Sequence, residues 1–513
     1  MLDIDELAKA DGISWVWKGS TPLPRMRDPL SEDGKKNTRT LLKLSRGGAD
    51  AVYIKEFDLL KEEFVPESEG GFLLPEAKTR ISYKSRDVVW VGSDFGPGTL
   101  TDSGYPRVIK EWIRGTKIED AKIIFEGEKT DVSVYNYIND QRRRNGPIYE
   151  VQGRSITFYT SKYFVRAVQY EHLLAPDDPL REGIPEPGPY VELDIQDDAE
   201  IDFIGNWLML ELRSDWEPVP GGPTYTSGSL IYTDASTFLE KGKEACDYRV
   251  IFEPNETTSL ETYSCTLNYM ILSIMDNVKS KLEFYKISSD GSTLNFVGGD
   301  DTAKIRSASA DGYDSFETDD FWFTTSGYTQ PTTLCLADAT KVEGIKTNGD
   351  TPSTETMTDT DTETDEPYVI EIVKSLPHSY DASDLTVEQK TGISEDGTKI
   401  PYFVVSKKDT VLDGNTPTLL YGYGGFEISM GPKYIASVGT AWLEKGGAYV
   451  EACIRGGGEF GPSWHQVRLY MYVYILFVTS IFCAHYLSVD MFSCLGRLKN
   501  QSQQKLRRFR RSS

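Results

Sequence analysis

The chain has 513 residues, 39% of them hydrophobic and 26% charged, which suits a soluble protein of two or three domains with a sizeable core. Its net charge is −24. The segment 467–513 carries eight Lys/Arg against one acid, Asp490, so residues 1–466 hold −31. A body that acidic repels phosphate, which excludes nucleic acid as a partner.

Residues 1–37 form a polar lead-in with Pro22, Pro24 and Pro29 and little strand signal. From Thr38 the texture changes. Short runs rich in Val, Ile, Tyr, Phe and Trp alternate with Gly, Asp and Pro turns, as in "AVYIKEFDL" (51–59), "RDVVWVGSDFGPG" (86–98) and "NWLMLEL" (206–212). Apolar centres near Trp90, Phe158, Leu208, Leu272 and Trp322 lie 50 to 68 residues apart. One texture held from 38 to 375 predicts a β-propeller of irregular four-stranded blades, with a set of β-sandwiches as the alternative. Within it, 347–367 ("TNGDTPSTETMTDTDTETDEP") is a Thr- and Asp-rich insert that cannot bury a core.

Residues 376–466 follow a different grammar. "TVEQKTGISEDGTKIPYFVVSKKD" (386–409) predicts two strands about a turn. "TPTLLYGYGGF" (416–426) predicts a buried strand entering a glycine loop, 434–447 a helix, and "AYVEACIRGGGEFG" (448–461) a second buried strand and glycine loop. Strand, loop, helix and strand in that order open an α/β domain with parallel strands. The final segment, 467–513, is atypical. It holds 21 uncharged residues (469–489) and a basic end, "LRRFRRSS".

The first glycine loop poses the chemical question. Gly422, Gly424 and Gly425 do not make G-x-G-x-x-G, and no Walker Lys-Ser/Thr follows, so a phosphate cradle is excluded. A plain tight turn has no use for Tyr423, yet on these residues alone it stays open. A hydrolase loop accounts for every part. Glycines let backbone approach a reacting carbonyl, and a tyrosine hydroxyl can donate to the developing oxyanion.

"LLYGYGGFEIS" with "GGAYVEACIRGGGEFGPSWHQ" (446–466) resembles the prolyl oligopeptidase family of serine peptidases. "LSRGGADAVYIKEFDL" (44–59), "GGFLLPEAK" (70–78) and "SDFGPGTLTDSGYPRVIKEWIRGT" (93–116) are similar to that family's propeller, above all in its bacterial and fungal oligopeptidase branch. The resemblance covers about residues 5–466. It implies a mainly β fold in which a seven-bladed β-propeller precedes an α/β-hydrolase domain, here incomplete. It also implies hydrolysis of short peptides, often after proline, by a Ser-Asp-His triad, with no cofactor and no metal. By motif position, Tyr423 corresponds to the oxyanion-hole donor and Phe426 to a substrate-pocket aromatic. The loop Arg455–Gly461 receives no chemical role.

The sequence also departs from the family. No G-x-S-x-G elbow is present; "GISED" (392–396) and "GPSWH" (461–465) each lack the last glycine. None of His172, His378, His465 and His485 follows an elbow, so nucleophile, acid and base are all missing and the chain by itself is expected to be inactive. The alternative is a non-catalytic propeller that binds partners. The tail reads as an aberrant end, as a transmembrane tether through 469–489, or as a buried helix. Six scattered cysteines without C-x-x-C and no signal-peptide region in the first thirty residues predict a cytoplasmic protein, with a membrane location as the alternative if 469–489 spans. A monomer is expected.

Overall fold

The computed structural model describes residues 2–31, 34–289, 291–299, 304–343, 366–411 and 413–466, with the backbone alone of 476–478. The chain divides into two units. One holds 1–210, 217–223 and 232–249; the other holds 211–216, 224–231 and the chain from 250 onward.

In the first unit, helix α1 (Ile4–Asp11) starts where the Asp3 carboxylate accepts from the amides of Asp5 and Glu6, and it ends at a left-handed Gly12. The first sheet orders β1 (Trp15–Pro22), β2 (Arg39–Arg46), β3 (Val52–Asp58) and β4 (Glu63–Phe64), with β5 (Leu73–Ala77) also on β3. The lead-in expected to carry little strand therefore supplies β1. That strand buries Trp15 and leaves Val16 and Trp17 exposed. Its ladder with β2, more than an apolar face, holds it in place. The second sheet orders β6 (Arg80–Ser85), β7 (Val88–Gly92), β8 (Val108–Ile113) and β9 (Lys122–Glu126). The third orders β10 (Ser133–Asp140), β11 (Ile148–Ser155), β12 (Ser161–Val168) and β13 (Val191–Glu192).

The fourth sheet, β14 (Glu200–Ile204), β15 (Trp207–Glu211), β16 (Leu230–Asp234) and β17 (Arg249–Phe252), takes residues from both units. Helix α2 (Ala235–Lys241) follows β16, capped by Asp234. In the second unit come β18 (Thr258–Cys265), β19 (Tyr269–Asp276), β20 (Lys279–Ile287) and β21 (Leu294–Gly299), then β22 (Ser307–Gly312), β23 (Asp320–Ser326), β24 (Thr333–Asp338) and β25 (Val369–Ser375). Phe284, Phe321, Phe323 and Tyr368 fill the core of these last two sheets.

The chain is thus mainly β. Among the described residues, six sheets of this kind stand where seven blades were expected. The predicted centres Trp90, Leu208, Leu272 and Trp322 each fall on the second strand of a sheet. Phe158 does not. It sits 79% exposed in the turn between β11 and β12, because the apolar pairs of that sheet are made by the strands on either side.

The remaining sheet is mixed, in the order β26 (Leu385–Ile393), β27 (Lys399–Lys407), β29 (Ala448–Ala452), β28 (Thr418–Gly422) and β30 (Leu476–Val478). The β26–β27 hairpin closes through Ser394 and Thr398 as expected. β28 and β29 run parallel, Thr418 opposite Ala448 and Gly422 opposite Ala452. Between them the chain forms a helical turn, α3 (Ala436–Val438), continued by a π-helical turn over Gly439–Leu443. β29 is buried along its whole length, with β27 and β28 on its two sides. β28, expected to be buried, is only half-buried. The insert 347–365 and the tail, apart from the backbone of 476–478, lie outside the described residues. Among the described residues no helix is long and apolar enough to cross a membrane.

A seam of buried charge joins the first three sheets. Glu56 on β3 accepts from the Tyr83 hydroxyl (2.8 Å) and from Arg114 (2.7 Å). Lys84 donates to Glu111 (2.8 Å) and stands 3.6 Å from Glu150, which also accepts from Arg166 (2.7 Å) and Tyr190 (2.8 Å). The Glu56 and Glu150 side chains are fully out of water, so each carboxylate depends on its partners. Lys84→Met removes the cation shared by two carboxylates. It should lower unfolding free energy by about 3 kcal/mol in urea titrations, with loss centred on the first unit.

Candidate functional site

The parallel pairing of β28 and β29 brings two glycine-rich loops out of the same edge of the sheet. The loop from Tyr423 to Met430 leaves β28, and that from Arg455 to Gly461 leaves the segment just after β29 and leads into α4 (Gly461–Gln466). In open α/β sheets this carboxyl edge is where ligands bind.

The two loops meet backbone to backbone. A Cβ placed on Gly424 would lie 2.4 Å from the Arg455 carbonyl oxygen, and one on Gly456 would lie 2.4 Å from the Gly424 oxygen. On Gly458 it would lie 2.3 Å from the Glu427 oxygen. Gly456 also has φ +102°, outside the range of ordinary L-residues. The second loop, given no role from sequence, is thus the template on which the first is laid. The signal was in the sequence: Gly456 and Gly458 are needed where another backbone comes this close, and Gly457 where the Glu459 carboxyl does.

Side chains complete the join. Glu459, fully buried, accepts from the Met430 amide (2.9 Å), and its own carbonyl accepts from the Ser259 hydroxyl (3.1 Å). Buried His465 places Nδ1 3.2 Å from the Glu427 amide and 2.9 Å from the Gly456 carbonyl oxygen. With Nδ1 bare it accepts from Glu427; with Nδ1 protonated it donates to Gly456. Arg455 turns the other way and donates to Thr398 (3.1 Å) and Ser394 (3.0 Å) in the β26–β27 turn while pairing with Asp396, whose carboxyl it holds below the usual range.

The predicted site residues sit in the first loop. Tyr423 is half-buried against the core that includes Tyr380, Phe403 and Tyr449. Its hydroxyl passes over Gly425, 3.4 Å from where a Cβ would stand. Phe426 is 69% exposed and left-handed (φ +53°), followed by left-handed Glu427 (φ +56°). Two successive non-glycine residues in that region are uncommon and cost of order 1–3 kcal/mol each. Neither near-miss serine is an elbow. Ser394 lies in a hairpin turn and accepts from Arg455, and Ser463 is exposed on α4. Glu459, His465 and the glycines of the second loop are the site-building residues that sequence reasoning missed.

Below the loops lies a group of buried titratable side chains. Glu451 on β29 accepts from the Tyr449 hydroxyl (2.6 Å), and Cys453 is fully buried. Burial raises the Glu451 carboxyl above its usual range and the Cys453 thiol well above its own. Burial, with Glu451 adding repulsion, pushes Glu459 up to about 8.

An exposed apolar side chain thus stands on a strained turn, at the carboxyl edge of a sheet with glycine loops. An uncharacterized peptidase of Sinorhizobium fredii is 33% identical over 474 residues, covering 91% of this chain and 56% of the relative. A prolyl endopeptidase of Elizabethkingia miricola is 42% identical over 120 residues, 23% of this chain and 16% of the relative. The structure of a post-proline cleaving enzyme from Rickettsia typhi matches with a TM-score of 0.72 at 24% identity, over 91% of this chain and 60% of that one, which speaks to fold. No family model matches the chain. The curated relatives of the chain are thus peptidases, prolyl endopeptidases among them, and its structural neighbours include prolyl oligopeptidases. The chain spans 56–57% of the length of two curated relatives, the Sinorhizobium fredii peptidase and an uncharacterized peptidase of Rickettsia prowazekii.

Two outcomes follow from the join. Gly456→Ala should lower unfolding free energy by at least about 2 kcal/mol, since the methyl group meets backbone that cannot yield. A carboxyl raised in the folded state favours folding fully below its unfolded value near 4.5 and loses that contribution as pH rises through about 8. Unfolding free energy should therefore fall between pH 5 and 8, by on the order of 3 kcal/mol from Glu459. In Glu459→Gln this part of the fall between pH 5 and 8 should vanish from the denaturation series.

Proposed function

We propose that residues 376–466 form the oxyanion-hole side of a serine-type peptidase acting on short peptides, with Tyr423 as donor to the oxyanion and Phe426 as a wall of the substrate pocket. The observation that carries this is the strained, glycine-templated loop that leaves Phe426 exposed beside Tyr423. Backbone held in sparsely populated conformations clusters at binding and catalytic sites. An oxyanion donor works through being fixed before the reaction begins, which is what backbone interlocking provides.

The six sheets of sequentially ordered strands before the mixed sheet support the propeller part of the reading, for which seven blades are proposed. In this reading the propeller admits only short peptides, and the protein is a cytoplasmic monomer. The 513 residues contain no G-x-S-x-G, so in this reading they supply the site that steadies the intermediate without the serine that makes it. That same absence favours a second reading, a non-catalytic peptide-binding module.

The full chain incubated with a fluorophosphonate probe should remain unlabelled; covalent labelling would overturn the missing-nucleophile reading. A blocked Gly-Pro hexapeptide should bind in calorimetry. Phe426→Ala should weaken that binding about tenfold, and Tyr423→Phe about fivefold, the worth of one neutral hydrogen bond. Undiminished binding in both variants would remove these residues from the site.

A further inference from the structure

We propose that Arg213, acting through Glu427, is a positioning residue that sets the Phe426 wall of the peptide pocket. The pocket itself rests on the function proposed above; the clamp rests on geometry alone. Phe426 and Glu427 are both left-handed, at φ +53° and +56°, a pair that L-residues hold only where their surroundings over-determine it. The ring of Phe426 is 69% exposed, so its own packing does not hold it there.

Glu427 is instead fixed from three sides. Its carbonyl oxygen lies against Gly458, where no Cβ would fit, and its amide faces His465 Nδ1 at 3.2 Å. Its carboxylate pairs with Arg213, 214 positions earlier in the chain. Side-chain exposures of 13% for Arg213 and 17% for Glu427 take this pair out of the class of solvated surface pairs, which contribute little. Arg213 is itself anchored. Its carbonyl oxygen accepts from the Ser227 hydroxyl (2.8 Å) and from the Gln466 side-chain amide (2.9 Å), so the guanidinium is presented from fixed backbone. A planar fork on fixed backbone is suited to holding a carboxylate in one orientation. Without it, Glu427 and the residue before it are free to relax toward ordinary backbone angles, and the Phe426 ring turns with them.

The test uses the full chain with Arg213→Ala, Arg213→Lys and the exchanged pair Arg213→Glu with Glu427→Arg. Hydrogen exchange is read over residues 426–430, with strands β18–β20 as the control for folding. Arg213→Ala should speed exchange at 426–430 about tenfold with the control strands unchanged, and the exchanged pair should restore it to within about threefold. Arg213→Lys, which keeps the charge without the fork, should fall between. Binding of the blocked Gly-Pro hexapeptide should weaken about tenfold in Arg213→Ala and recover in the exchanged pair. Unchanged exchange at 426–430 in both single variants would overturn the clamp. Weakened binding that the exchanged pair does not restore would make Arg213 a direct peptide contact and overturn a positioning role. A wild-type chain that shows the exchange response but never binds the hexapeptide would support the clamp and overturn the pocket.

Discussion

The site depends on one constraint, the contact of two backbones at the carboxyl edge of a parallel strand pair. Gly424 against Arg455, Gly456 against Gly424 and Gly458 against Glu427 leave no room for a single methyl group. Everything nearby follows from that closeness. Glu459 can reach the Met430 amide only because the loops touch, and His465 can serve Glu427 and Gly456 only because the two lie together. The strain at Phe426 and Glu427 persists because the interlocked loops, His465 and the Arg213 pair together hold Glu427.

Charge is handled differently in the two units. In the first, buried carboxylates on successive sheets are matched by Lys84, Arg114 and Arg166. In the second, Glu451 and Glu459 sit beneath the glycine loops, and burial drives both toward the neutral form. A neutral carboxyl still accepts a backbone hydrogen bond, so Glu459 can hold Met430 without burying a charge. The interior of the site is thus held by shape and neutral hydrogen bonds. Two ion pairs buttress it, Arg213 with Glu427 on the first loop and Arg455 with Asp396 on the second.

This division suits a peptidase-family scaffold. Donors aimed at a developing oxyanion are effective when they are fixed in advance and surrounded by little competing charge. The comparisons relate the chain to peptidases, and the interlocked backbone accounts for how the loop is held.

Much was legible in the residues. Alternating aromatic and β-branched runs with turn residues between them specify a β-rich chain, because side-chain period and turn chemistry are local. Four of five strand centres fell on the second strand of a sheet for that reason, and Phe158 missed because an aromatic in a turn looks like one in a strand. The strand-loop-helix-strand order was equally readable from pattern and spacing. The role of Arg455–Gly461 was not, although its glycines were in plain view, because what a glycine makes room for is another part of the chain. Nor could Arg213 be connected with Glu427, or Glu459 with Met430, since no local pattern encodes a contact across 214 residues or a carboxyl's burial. The sequence by itself determined the kind of elements and the kind of loop. Only the tertiary structure decided which backbone each glycine admits and which side chains hold the loop, because those depend on distances that exist only once the parallel strands have paired.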